Sequence, residues 1–366
     1  MVRGSMYAYE DIRVVHLEMT SRCNSACPMC ARNLQGGATN PNLPLTELSE
    51  TDIRTMFPEE FVGRLKRMYM CGNYGDAMVS RDTREVFAYF RAVNPKVHLR
   101  LITNGSGRKP EWWQGLAKIV DVTTFSIDGL EDTNHLYRRH TDWDVIMRSV
   151  EAYIGAGGKA DWDFIVFKHN EHQVEAAREL SQKLGFQKFT AKRTDRFMSR
   201  GKLVNEKPVY DRDGSIAYQL EMPVGPEYQN TAVRAVDSMV KQGTQYTDYA
   251  GETDVVCKAT GEAKIYASAE GLVFPCCWVG GIYSSGVNAE TGEMWPLMRA
   301  LPEGKQALSA LRRPLREVIE GSFFQSLIPA TWVPGSKERK DFTLCARMCG
   351  KHDTVRATPL PPTASA

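Results

Sequence analysis

The sequence lacks any run of about 18 apolar residues, so it offers no transmembrane helix. It also lacks a secretory h-region with a cleavage site, so the expected location is the cytoplasm, with no membrane partner. Charge of one sign is not in excess: 46 Lys and Arg face 44 Asp and Glu, a net of +2. That balance makes no electrostatic case by itself for binding nucleic acid or a membrane surface. What remains is an ordinary globular composition, 42% hydrophobic and 25% charged over 366 residues. Such a length fits two domains, or one large domain with an appendage. The opening "MVRGS" reads as an expression scar with Met6 as the native start, and "ATPLPPTASA" as a disordered tail.

Cysteine is present in an odd number, nine. Without a signal peptide, an odd and clustered set points to metal ligation rather than disulfides. Seven fall into two groups. Cys23, Cys27 and Cys30 sit in "CNSACPMC", and Cys257, Cys276, Cys345 and Cys349 lie toward the other end. Cys71 stands apart and Cys277 adjoins Cys276. A structural zinc site wants four ligands, usually in C-x2-C pairs. The first group is C-x3-C-x2-C, and the next cysteine is Cys71. Zinc with a distant fourth ligand is the simpler alternative. Three thiolates on a four-iron cluster would instead leave one iron open, and an open position is what chemistry requires.

Apolar, β-branched runs alternate with helical stretches through the first half. Strands are expected at 13–19, 67–71, 97–103, 122–127, 161–167 and 188–192, and helices at 81–93, 110–119, 142–155 and 171–184. This spacing is that of βαβ crossovers and predicts a parallel sheet. Six units are too few for an eight-fold barrel, so the fold class is α/β, a partial (β/α)6 barrel. The domains are expected at 11–200 for the barrel, 201–250 for a connection with a hairpin and a helix over 231–241, and 251–350 for a small cysteine-bearing unit. Residues 1–10 and 351–366 flank them. Sites in such sheets gather at the carboxyl ends of the strands. Cys23, "CGNYGD" (71–76), "TNG" (103–105) and "SIDG" (126–129) all follow expected strands, which predicts one shared pocket.

C-x3-C-x2-C after a first β-strand, with Met29 before the last Cys, resembles the radical S-adenosylmethionine (SAM) superfamily. The resemblance implies a 4Fe–4S cluster on Cys23, Cys27 and Cys30, with the methionine moiety of SAM on the open iron. It implies reductive cleavage of SAM to a 5′-deoxyadenosyl radical that abstracts hydrogen from a substrate. Gly72, Asn73, Tyr74, Gly75 and Asp76 occupy the place of the family's Gly-Gly-Glu-Pro segment, with Asp76 for the Glu and Ala77 for the Pro. Thr103, Asn104, Ser126 and Asp128 match family positions lining cofactor and substrate. Taken singly, each could be a turn with an Asx hydrogen bond.

The second group reads C-x13-G-x4-C, with "KIYASAEGLVFP" as a hairpin between, then "CARMC" at i and i+4 of a helix. It resembles the shorter "twitch" form of the SPASM auxiliary-cluster extension, which implies a second 4Fe–4S cluster on Cys257, Cys276, Cys345 and Cys349. Zinc is the alternative. Cys277, facing the other way on its strand, is a spare. "HNEHQ" places His169 and His172 close together, but Asn170 capping a helix with Gln173 three residues on explains it more simply. Lys192, Arg193 and Arg196 in "KRTDR" could meet a carboxylate or phosphate, with a solvated charge run as the alternative. Cys71 could return a hydrogen atom to a substrate radical.

Three functions follow. The first is radical chemistry on a small-molecule or nucleotide-like substrate, including a modified DNA base, ending in oxidation or rearrangement. The second is modification of a ribosomally made peptide. The third is a non-enzymatic iron–sulfur electron-transfer protein. The resemblance implies a reducing partner such as flavodoxin or ferredoxin.

Overall fold

The chain's computed structural model describes residues 6–199, 202–243, 251–284, 293–350 and 358–359. The expected tail and the N-terminal five residues lie outside the described residues, apart from 358–359.

Six parallel strands form in chain order: β1 (Val14–Leu17), β2 (Arg67–Met70), β3 (His98–Thr103), β4 (Val122–Ser126), β5 (Ala160–Val166) and β6 (Lys188–Arg193). Each pairs with the next. Among the described residues the sheet stays open and counts nine strands. Beyond β1, Lys264–Ala267 adds a parallel strand, then Val273–Phe274 an antiparallel one. Beyond β6, Thr358–Pro359 pairs antiparallel. The chain after residue 251 therefore extends the barrel sheet at β1 instead of standing off from it. Sequence periodicity does not show this, because a four-residue strand carries no sign of its partner.

Strand alternation builds the two faces. Along β5, Trp162, Phe164 and Val166 are buried outward. Trp162 packs with Phe186, Phe125 with Trp113 and Tyr153, under helices Pro110–Ala117 and Trp143–Gly155. Pro110 opens the first of these helices, where a missing N–H costs nothing, and Asp142 caps the second by accepting from Val145 N at 3.0 Å. Asp163 and Ile165, between the buried residues, face the barrel interior.

The expected connection forms as an antiparallel hairpin, Glu206–Tyr210 with Ile216–Glu221, and a helix at Thr231–Lys241. Two short helices between β1 and β2, Glu50–Met56 and Glu59–Val62, were not expected. The first carries a capping box in Ser49 and Asp52, a readable signal that the cysteine loop just before it obscured. The expected cap by Asn170 does not form. Its Oδ1 accepts from Phe167 N and its Nδ2 donates to Asp128 O, so the side chain staples the β4 and β5 ends. Gln173 reaches the 130–133 turn. Burial of Asn170 made these tertiary partners stronger than a local cap.

His16 on β1 is buried, stacks on Tyr69 at 4.5 Å, and donates from Nε2 to Cys71 O. Burial lowers its pKa to about 4. The unfolded imidazole titrates near 6.5. Its contribution is thus whole above pH 6.5 and is lost as pH falls toward 4, where the unfolded state gains the proton first. Between pH 7 and 4.5 we expect about 2–3 kcal/mol of stability to be lost through this group. Denaturant melts of wild type and His16→Phe across that range check it: the variant's stability should fall less steeply.

Candidate active site

The carboxyl ends of the strands open into a cavity of ≈ 1010 Å³. Each barrel strand delivers something to it. Cys23, Cys27, Met29 and Cys30 come after β1, and Cys71 with Gly72–Asp76 after β2. Thr103 and Asn104 follow from β3, Ser126 from β4, Asp163 and Ile165 from β5, and Lys192 from β6. The second wall comes from the C-terminal unit, through Cys277, Trp278, Arg347 and Met348. The residues expected around the first cysteine group thus meet at one place, with two exceptions. Arg193 points the other way along β6 and donates to Glu227 O, and Asp128 lies behind the wall.

The cysteine loop is held by its own turns and by donors aimed at sulfur. Cys30 N donates to Cys27 O and Ala26 N to Arg139 O, each at 3.0 Å. Ser25 N approaches Cys23 Sγ at 3.4 Å, and Ser25 Oγ lies 3.1 Å from Cys27 Sγ. Asn104 Nδ2 and Arg138 Nη1 approach Cys23 and Cys27 sulfurs at 3.7 Å. Burial, then the charge of Asp76, pushes the Cys23 thiol up, and burial, then Cys27, pushes Cys30 up. The rise at Cys23 and Cys30 is what a metal-bearing group reverses, since a coordinated thiol gives up its proton. Among the described residues no three His, Cys, Asp or Glu side chains close on a single ion. A cubane binds its thiolates on separate irons and so needs them further apart.

The 72–76 loop needs its glycines. A Cβ on Gly72 would stand 2.0 Å from Gly75 O, and one on Gly75 would stand 1.7 Å from Thr20 O. Asp76 is buried, and its carboxylate is already engaged. It accepts from Thr103 Oγ1 at 3.0 Å, Asn104 N at 2.8 Å and Met78 N at 3.0 Å. Asp76 therefore ties the β2 loop to the β3 loop, a bracing role beside the cofactor-facing one expected of it. Burial, the largest effect, raises its pKa, and these donors oppose the rise.

Two residues escaped the sequence reading. Glu18, just after β1, has its carboxylate under the 72–76 loop, accepting from Tyr74 N at 2.7 Å and Gly75 N at 2.9 Å. Arg138 donates to Asp128 at 2.6 Å while its other end faces Cys27. Asp128, wholly buried, also accepts from Ile165 N at 2.5 Å. A signal existed in Arg138, ten residues past Asp128, but nothing in the spacing ties the one to the other. Lys192 reaches the Asp163 carboxylate inside the barrel, so it meets the cavity floor as half of an ion pair. His169 stacks on Phe167 and His172 is exposed; neither lines the cavity.

A second, smaller cavity of ≈ 120 Å³ lies in the C-terminal unit, lined by Cys257, Cys276, Cys345 and Cys349. The hairpin forms as expected, with Tyr266 opposite Phe274 and Gly271 at a φ of +74° in its turn. Helix Leu344–Cys349 presents the last two thiols, and Val256 N donates to Cys349 O beside Cys257. Cys277 lines both this cavity and the large one.

No curated protein matches the chain. Among solved structures it is similar to "Native anSMEcpe with bound AdoMet", with 14% identity, 92% of this chain and 88% of that one covered, and a TM-score of 0.52. It is also similar to SuiB of Streptococcus suis bound to S-adenosylmethionine, with 12% identity, coverage of 91% and 77%, and a TM-score of 0.50. At such identities the likeness is one of fold, and the fold is the open α/β sheet described above. Residues 17–180 match the family profile described as "Radical SAM superfamily". That stretch carries the three-thiol loop, the glycine loop and the strand ends that meet in the large cavity.

Proposed function

We propose that the chain is a radical SAM enzyme that binds one 4Fe–4S cluster on Cys23, Cys27 and Cys30, and SAM across the adjoining strand ends. The observation that carries this is the meeting of those three thiols with the 72–76 loop, Thr103, Asn104 and Ser126 around one cavity. When bound, the reduced cluster would supply the electron that cleaves the SAM sulfonium and leaves a 5′-deoxyadenosyl radical. The chain's own residues do the rest. Gly72 and Gly75 let the loop close on itself and on Thr20, which shapes the backbone offered to the ligand. Arg138, fixed by Asp128, is the buried cation suited to the methionine carboxylate. Asn104 and Ser25 donate toward the Cys23 sulfur, and such donors would tune a cluster held there. A one-electron reductant of the flavodoxin or ferredoxin kind would serve it.

The second thiol group supports a further 4Fe–4S cluster in a twitch-like unit, through Cys257, Cys276, Cys345 and Cys349. The substrate reading is a small molecule or nucleotide-like compound, which Trp278, facing the cavity, could stack against. A peptide is the second reading, favoured by the structural likeness to SuiB bound to the precursor peptide SuiA, with a TM-score of 0.50. Cys71, lining the cavity, remains the proposed hydrogen donor.

Anaerobic reconstitution tests the cofactor count. About eight irons per chain are expected from two cubanes. About four irons with tightly held zinc would turn the C-terminal site into a structural zinc site.

A further inference from the structure

The 72–76 loop is held from two sides, and one side is the C-terminal unit. Glu18, 1% exposed, places its carboxylate beneath the loop. One oxygen accepts from Tyr74 N and Gly75 N, and the other accepts from the hydroxyl of Tyr266. Tyr266 belongs to Lys264–Ala267, the strand that the C-terminal unit adds beside β1. Asn73 Nδ2 donates to Cys277 O at 2.7 Å. Tyr74 closes the other flank, its hydroxyl accepting from Tyr283 N at 3.0 Å with Ser284 Oγ at 3.3 Å. The peptide unit that follows Cys277 in this bond belongs to the turn whose neighbour, Cys276, lines the second thiol cavity.

We propose that Glu18 and Tyr266 are positioning residues for SAM, and that the Asn73–Cys277 contact makes SAM affinity depend on the state of the second cysteine group. The proposal rests on reading the 72–76 loop as the SAM loop. A loop rich in glycine loses much backbone entropy when it is fixed. Its shape must come from outside, and Glu18 supplies it by orienting two successive N–H groups inward. A buried carboxylate needs its own donors, and the Tyr266 hydroxyl is the one from outside the loop. Loss of that donor loosens the loop from beneath. Loss of the Cys276 site moves the Cys277 carbonyl and loosens it from the side.

The test uses full-length reconstituted protein and SAM itself as the probe. The paramagnetic signal of the reduced N-terminal cluster is followed as SAM is added, with equilibrium dialysis for affinity. Wild type must bind SAM and shift the signal; if it does not, the reading of the loop fails and the proposal with it. Given that, Tyr266→Phe should need about ten-fold more SAM, the worth of one hydrogen bond to a charged group. Its cluster signal without SAM should be unchanged, which a general structural defect would not leave so. Glu18→Gln, which still accepts from both loop N–H groups, should stay close to wild type, and Glu18→Ala should not. Cys345→Ala with Cys349→Ala should weaken SAM binding, and adding Asn73→Ala should weaken it no further. Equal SAM affinity in wild type and a folded Tyr266→Phe overturns the positioning role. Full additivity in the second series overturns the relay.

Discussion

Replacing Cys23, Cys27 and Cys30 together by alanine is expected to end SAM cleavage, a loss of at least ~10³-fold, on the scale of losing a central catalytic group. The reason is that the three sulfurs share one loop and one cavity, and the loop holds no fourth thiol. Iron content should fall by about four per chain, leaving the C-terminal group filled. Product analysis by mass spectrometry, beside iron determination, checks both. A triple variant that still released 5′-deoxyadenosine would move the chemistry elsewhere.

The second large effect is one of stability. Arg138→Met removes the cation from Asp128, which is wholly buried, while Arg138 itself is 17% exposed. Breaking a buried pair from one side costs about 3–5 kcal/mol. Burial already raises the Asp128 pKa, with Arg138 opposing the rise. Without Arg138 the carboxyl takes a proton more readily in the folded state. The deficit should therefore be largest near neutral pH and shrink as pH falls. Adding Asp128→Asn should recover much of it, because the amide oxygen still accepts from Ile165 N. Denaturant unfolding of the two variants at two pH values checks this, and an equal deficit at both would remove the charge argument.

The barrel was legible because its signals are local. Each β-branched run of 122–126 or 160–166 is followed by a turn and an amphipathic helix, and period alone separates them. The cysteine spacing was legible for the same reason. What stayed hidden depends on partners far apart in sequence. Glu18 reads as one acid in a strand end, and its purpose appears only when the 72–76 loop folds over it. Arg138 and Asp128 are ten residues apart, yet nothing in the spacing says that one faces a thiol 111 residues away. Asn170 looked like a helix cap because its local pattern fits one; burial against β4 decided otherwise. The short strand Lys264–Ala267 gave no hint that it would extend the sheet at β1 and so bring Tyr266 to Glu18.

The central claim is that the large cavity cleaves SAM. The most direct measurement is a single-turnover assay on anaerobically reconstituted, dithionite-reduced wild type with SAM and no added substrate. The account predicts 5′-deoxyadenosine and methionine in equal amounts, together with a changed paramagnetic signal from one cluster only. A fully loaded, reduced protein whose signal is indifferent to SAM, and which leaves SAM intact, would contradict it.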